Sequence, residues 1–206
     1  MEFEYKATES RCAVMFDSFN LPISHKEALE ILNRKGFEKI EVDILELAKQ
    51  CVGKSQYRRG VRIFEAPAVL DCSSFMKYLY AQRGIWLPRR SIQQRELGEI
   101  VDIKEIMAGD LVFISGYIDY YISNPVDGVG HVGIATENKT VIHAANKENG
   151  VIETSLSKFI NEINFRGIRR YVPKSVEVLT FKIPINIDIE TSDDLKWIIL
   201  QNLTNY

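Results

Sequence analysis

Histidine is scarce in this chain, with only His25, His131 and His143 among 206 residues. Cysteine is equally scarce: Cys12, Cys51 and Cys72 form an odd set with no Cys-x-x-Cys spacing. The amino terminus, Met1-Glu2-Phe3-Glu4-Tyr5, has no charged-then-apolar export signal. Odd thiols without such a signal argue against a disulfide framework and predict reduced cysteines in a cytoplasmic protein, or in a secreted one if a leader has been removed. Close-spaced ligand pairs are missing too, so zinc held by Cys72, His131 and His143 is the weaker use of those side chains, and no cofactor is expected. No apolar run reaches the roughly 18 residues of a membrane-spanning helix. Charge is balanced, with 26 Lys and Arg against 28 Asp and Glu, and no basic run exists. That removes the electrostatic footprint of a nucleic-acid binder. What is present is 46% hydrophobic residues over a length that can bury one solid core plus accessory elements.

One thiol has chemical company. After Cys72 the apolar residues Phe75, Met76, Leu79 and Tyr80 follow helical spacing, and Gly84 stands where the chain must leave the helix. Asp71 then reads as the N-cap and Cys72 falls in the first turn, where unpaired N–H groups and the helix dipole favour a thiolate. A cysteine in an amphipathic helix otherwise packs as a small hydrophobe. The two downstream histidines favour chemistry.

The segments His131–Thr136 and Thr140–Ala145 read as strands joined by Glu137-Asn138-Lys139. Side chains alternate along strands, so loop length decides whether the histidines meet. A two-residue loop would put them on opposite faces. A three-residue loop pairs Thr136 with Thr140, sets His143 opposite Gly133, and brings it diagonal to His131 at roughly 7–8 Å between backbones. Asn138 is the expected left-handed turn residue, and Gly133 is expected to leave open space for the imidazole. Cysteine, imidazole and a second polar group to orient that imidazole are the parts of a thiol nucleophile.

From Val42 to Pro173 the chain resembles the NlpC/P60 family of papain-like cysteine peptidases, through six patterns in that family's order. Leu47-Ala48-Lys49-Gln50-Cys51-Val52-Gly53 with Tyr57-Arg58-Arg59-Gly60 is similar to the opening helix and its Gly-x-x-Tyr-x-x-Gly turn. Asp71-Cys72-Ser73-Ser74-Phe75 resembles the Asp-Cys-Ser-Gly-Phe nucleophile motif. Leu87-Pro88-Arg89-Arg90-Ser91 with Gln94 resembles a Leu-Pro-Arg-x-Ser segment, and Gly109-Asp110-Leu111-Val112-Phe113 a Gly-Asp-Leu-Val-Phe strand. His131-Val132-Gly133-Ile134 and Ile142-His143-Ala144 resemble the two histidine strands. The resemblance implies an α+β, papain-like core in which helices carrying the nucleophile pack on an antiparallel sheet carrying the histidines. It further implies Cys72 as nucleophile, His131 as base and His143 as orienter. Tyr57 is implied at the oxyanion or the substrate, and Asp71 and Ser91 as receivers of a peptide's free amine. The implied reaction is hydrolysis of a γ-D-glutamyl–diamino acid amide in a small cell-wall peptide.

The chain departs from the family pattern in places. Ser74 stands in place of a glycine, and Arg58 and Arg59 stand where aromatic or small residues are common. The Ser115–Gly130 connection is long and carries Tyr117, Tyr120 and Tyr121, which suits a loop beside a substrate groove. An acyltransferase or deconjugase on the same triad, or a binding protein with a silent site, are the competing functions.

Residues 1–40 are expected to form an extension with a strand over Cys12–Phe16 and a helix over Lys26–Lys35. Ser24 and Glu27 would form its capping box and Gly36 its end. Residues 41–173 form the expected catalytic domain and 174–206 an appendage. In that appendage Phe181, Ile183, Ile185, Ile187 and Ile189 alternate as an edge strand around Pro184, before a helix capped within Thr191–Asp194 and running over Leu195–Leu203. The sequence fixes no oligomeric state.

Overall fold

The computed structural model describes residues 4–174 and 176–203. In chain order its strands are β1 (Arg11–Val14), β2 (Glu38–Ile40), β3 (Gln56–Tyr57), β4 (Val69–Leu70), β5 (Glu99–Val101) and β6 (Leu111–Ile114). They continue with β7 (His131–Ala135), β8 (Thr140–Asn146), β9 (Gly150–Ser155), β10 (Phe165–Arg170) and β11 (Leu179–Lys182). The helices are α1 (His25–Arg34), α2 (Ile44–Cys51), α3 (Cys72–Gln82), α4 (Ser91–Arg95), α5 (Leu156–Phe159) and α6 (Ser192–Gln201). The chain divides into two compact units.

One unit gathers the described residues of Met1–Asp43, Tyr80–Trp86 and Lys174–Tyr206. Its sheet runs β1-β11-β2, antiparallel throughout. Helix α1 starts on the expected capping box: the Ser24 hydroxyl accepts from the Glu27 N–H, and the Glu27 carboxylate accepts from the Ser24 N–H at 2.9 Å. Two otherwise orphaned donors are thereby satisfied. Ala28, Ile31 and Leu32 on the apolar face of α1 join Phe16, Phe37, Phe181, Leu195 and Ile199 in a buried cluster. Gly84 is confined by both conformation and space, since its φ is +80° and a Cβ there would lie 2.6 Å from the Ala13 nitrogen.

Two expectations for this unit need correction. The first strand ends at Val14 and not Phe16, because Phe16–Phe19 turns into a short 3₁₀ segment that buries both phenylalanines. The tail strand stops at Lys182 and is the central strand of its sheet, not an edge strand through Ile189. Pro184 has no N–H for a central ladder. The chain turns instead, with the Ile187 N–H donating to the Pro184 carbonyl at 3.0 Å and Ile185 left exposed. Helix α6 takes the expected Thr191–Asp194 capping box, but it runs over Ser192–Gln201 and not Leu195–Leu203, because the cap residue is Thr191 itself.

The second unit comprises Ile44–Leu79 and Leu87–Pro173. Its six-stranded sheet runs β5-β10-β6-β7-β8-β9, with every neighbouring pair antiparallel. A short parallel pair, β3 with β4, sets Tyr57 beside Leu70 immediately before the start of α3. This is an α+β architecture with a helix that begins at the thiol and an antiparallel sheet that carries the histidines. Among the described residues, no helix is long and apolar enough to cross a membrane.

Candidate active site

Cys72 is the first residue of α3, and Asp71 caps it. One Asp71 carboxylate oxygen accepts from the Ser74 N–H at 2.9 Å and the other from the Gly60 N–H at 2.9 Å. Arg89 grips the same carboxylate in fork geometry: Nη1 donates to Oδ1 at 3.0 Å and Nη2 pairs closely with Oδ2. Burial alone would raise the Asp71 pKa, but Arg89 and the backbone donors hold it below the ordinary carboxylate value. Arg89 also donates to the Ser73 hydroxyl at 2.9 Å and to the Val61 carbonyl at 3.0 Å. Buried Gln94 donates to the carbonyls of Ser73 and Pro88, both at 2.9 Å. The opening turn of α3 is therefore held from three directions. Ser74, which replaces the pattern's glycine, is accommodated because its hydroxyl accepts from the Asp71 N–H at 2.8 Å.

Helix position does not by itself make Cys72 a thiolate. Burial dominates and pushes its pKa up to about 11, Asp71 adding in the same direction. The N–H groups of Ser73 and Val132, and Arg89, act the other way. The net upward direction runs against the one expected from the helix dipole. Its sulfur lies 3.9 Å from the Gly130 carbonyl oxygen at the entry to β7.

The β7–β8 hairpin has the odd loop. Thr136 N–H donates to the Thr140 carbonyl at 2.9 Å, while Ile134 pairs with Ile142 and Ala135 with Val141. His143 therefore falls opposite Gly133, on the face of His131, and His131 Nε2 lies 2.8 Å from His143 Nδ1. The rings meet nearly edge to face, at 85°. Two details differ from expectation. The left-handed residue is Lys139, at φ +57°, and not Asn138, because a three-residue loop built on a type I turn places its left-handed residue last. Gly133 does not leave open space: a Cβ there would stand 2.4 Å from Val141 Cγ1 and 3.0 Å from His143 Cβ. The glycine permits close packing of His143 against β7.

Thr154 on β9 extends the chain of contacts, with its hydroxyl 3.0 Å from His143 Nε2. Burial lowers the His131 pKa to about 3, with His143 adding to the effect, and lowers His143 to about 4. Both rings are neutral near pH 7, so each carries one proton. If His143 Nε2–H donates to Thr154, its Nδ1 accepts from His131 Nε2–H. His131 Nδ1 is then left with a free lone pair, the requirement for a base.

Cys72, His131 and His143 line one cleft of about 650 Å³, together with Tyr57, Asp71 and Ser91. All six site residues expected from the sequence thus converge. Burial raises the Tyr57 pKa, and Cys72 and Asp71 add to it, which keeps the phenol a donor. The long connection also reaches the cleft, through Ser115, Gly116, Tyr117, Ile118, Tyr120 and Gly130. Arg95 fastens it by donating to the Asp127 carbonyl at 2.8 Å, and Arg166 to that of Gly128 at 3.0 Å. No group of three or more His, Cys, Asp and Glu among the described residues is placed to hold a metal ion.

Sequence reasoning assigned no role to Arg89 or Thr154. Thr154 had a signal in strand parity, since it pairs with Val141 and lies diagonal to His143 on the same face. Arg89 sat within a recognised motif, but its partner is 18 residues away and visible only in the fold.

A thiol at the start of a helix, facing a sheet that carries two bonded imidazoles, defines a papain-like fold and site. The profile of the NlpC/P60 family matches residues 53–170, and the chain belongs to that family. A relative from Listeria seeligeri named "Probable endopeptidase p60" is 37% identical over 108 residues, which is 52% of this chain and 18% of that protein. A Bacillus cereus relative named gamma-D-glutamyl-L-lysine dipeptidyl-peptidase is 31% identical over 133 residues, 64% of this chain and 36% of that one. The chain therefore spans well under two thirds of these relatives. Among solved structures, NlpC2 from Trichomonas vaginalis aligns with a TM-score of 0.53 at 26% identity, over 64% of this chain and 46% of that chain.

Proposed function

We propose that the protein is a cysteine peptidase that hydrolyses an amide bond in peptidoglycan-derived peptides, the γ-D-glutamyl–diamino acid bond being the preferred target. The observation that carries this reading is the bonded relay His131–His143–Thr154 beside a helix-terminal thiol in one cleft. His131 Nδ1 takes the Cys72 proton as sulfur attacks the amide carbonyl carbon. The developing oxyanion is met by the Cys72 N–H, which has no intrahelical acceptor, and by the Tyr57 hydroxyl. His131 returns the proton to the departing amine, leaving a thioester on Cys72. Water, deprotonated by the same imidazole, then releases the acid and restores the thiol.

Ser91 supplies a hydroxyl to the same cleft and supports recognition of a peptide amine. Asp71 acts first as a positioning residue, because Arg89, Gly60 and Ser74 occupy its acceptor directions. Its amine-binding role requires Arg89 to yield one oxygen, so N-acetylation of the peptide should slow turnover only a few-fold. The name of the Bacillus cereus relative supports the γ-D-glutamyl preference. The test is release of the diamino acid from a γ-D-glutamyl dipeptide or tripeptide by the wild type and by Cys72→Ala. Turnover that survives the substitution refutes the reading, and thioester substrates cleaved in preference to every wall peptide would favour the acyl-transfer alternative.

A further inference from the structure

Positive charge in the cleft exceeds what its carboxylate can answer. Asp71 is the one acidic side chain among the described residues that line it, against Arg59, Arg89 and Arg90. Arg89 is matched to Asp71 by the fork already described. Arg59 and Arg90 have no carboxylate partner among the described residues, and both converge on Tyr120. Arg59 Nη2 donates to the Tyr120 hydroxyl oxygen at 3.0 Å, and the Arg90 guanidinium lies 5.0 Å from the centre of the same ring. Nearby acids are otherwise engaged: Glu65 pairs with Arg58, Glu96 with Arg95, and Asp119 accepts from the Gly116 N–H at 2.7 Å. One aromatic ring thus orders two guanidinium groups at the cleft wall without neutralising either.

Both positions also lie outside the residues shared with the family pattern. Arg90 falls on the unspecified position of the Leu-Pro-Arg-x-Ser segment, and Arg59 on an unspecified position between Tyr57 and Gly60 of the turn pattern. Each adjoins a candidate site residue, since Arg90 precedes Ser91 and Arg59 precedes Gly60, whose N–H bonds Asp71. Paired guanidiniums with donors to spare match a planar carboxylate. A γ-linked glutamyl residue leaves its α-carboxylate free as a branch near the scissile carbonyl. Amidation of that branch removes the charge and one acceptor oxygen.

We propose that Arg59 and Arg90 form a carboxylate-receiving subsite that selects peptides with a free α-carboxylate on the γ-linked glutamyl residue over peptides amidated there. This inference rests on the peptidase reading above. The experiment compares kcat/KM for a matched pair of γ-D-glutamyl–diamino acid peptides, acid and amide, in the wild type, Arg59→Gln, Arg90→Gln and the double variant. The wild type should prefer the acid about tenfold or more, the scale of one charge-assisted hydrogen bond. Each single variant should reduce that ratio, the double variant should bring it near one, and lysine at both positions should restore part of it. The salt dependence of kcat/KM should be steeper for the acid than for the amide in the wild type, and equal for the two in the double variant.

A role confined to tethering Tyr120 would lower both peptides equally and leave the ratio unchanged, which overturns the inference. A wild-type ratio near one also overturns it, as does sensitivity only to amidation of the diamino acid's carboxyl. In each of these outcomes Cys72-dependent turnover would still support the peptidase reading. Failure of the wild type to cleave either peptide would overturn that reading itself.

Discussion

Gly133→Ala adds one methyl group to the middle of β7, and the structure assigns it a cost at two levels. The new Cβ would lie 2.4 Å from Val141 Cγ1, 3.0 Å from His143 Cβ and 3.1 Å from the Ile142 carbonyl oxygen. Val141 and Ile142 are fully buried, so neither can swing into solvent. Overpacking of this kind costs about 1–3 kcal/mol. For a chain of this length that corresponds to a fall in Tm of about 2–12 °C. The less confined neighbour is His143, so the strain should also lengthen its 2.8 Å contact with His131. Turnover should fall about tenfold or more, with KM little changed, because the contact orients the base without touching substrate. Adding Val141→Ala removes the closest clashing atom. That substitution alone costs about 2 kcal/mol for lost buried methyl groups, but the pair should be less destabilised than the sum by about 1 kcal/mol and should recover part of the activity. Thermal melts and steady-state hydrolysis of a γ-D-glutamyl peptide on all four proteins complete the cycle. A Gly133→Ala protein that melts and turns over like the wild type would refute the packing argument, and strict additivity would refute the role of Val141.

Thr154→Val removes the hydroxyl bonded to His143 and should lower kcat about tenfold, roughly 1.4 kcal/mol in the barrier, with KM and Tm little changed. An unaltered kcat would detach Thr154 from the relay. Arg89→Ala leaves the buried Asp71 carboxylate with only its backbone donors and the Ser73 hydroxyl. Because the arginine side chain is 40% exposed, the expected loss is about 1–3 kcal/mol. Adding Asp71→Asn should recover part of it in urea melts, and a double variant as unstable as the sum of the singles would refute the pairing. Burial holds His131 to about 3 and His143 to about 4, below the ordinary value of 6.5. The unfolded chain therefore takes up protons that the folded chain refuses. This contribution to stability is complete above about pH 6.5 and is lost as pH falls through 4 for His143 and toward 3 for His131. His143→Gln should reduce the stability lost between pH 7 and 4.5 by about 2 kcal/mol, and an unchanged loss would show that His143 does not titrate as described.

The site was legible in the sequence wherever a short-range rule fixed it. Strand period and a three-residue loop were enough to place His131 and His143 on one face, and helical spacing after Cys72 was enough to put Asp71 at the cap. Local rules failed where neighbours in the fold competed with them. The helix dipole pointed to a thiolate, but burial of Cys72 beside the Asp71 carboxylate outweighs it. Alternating isoleucines suggested a long tail strand, yet Pro184 cannot serve a central ladder and β11 stops before it. Asn138 has the better left-handed propensity, but turn geometry places the strain on Lys139. Arg89, Thr154 and the arginine pair on Tyr120 depend on contacts between distant segments, for which the sequence carries no periodic signal.

The central claim is that Cys72 is the nucleophile and carries the acyl group during turnover. Rapid acid quench of the enzyme with a γ-D-glutamyl peptide, followed by peptide mapping by mass spectrometry, tests it directly. The acyl mass should appear as a thioester on the fragment containing Cys72, and His131→Ala should abolish it. The fragments containing Cys12 and Cys51, neither of which lines the cleft, should remain unmodified. Product release with no adduct on Cys72 at any quench time, or with an adduct on another residue, would contradict the account.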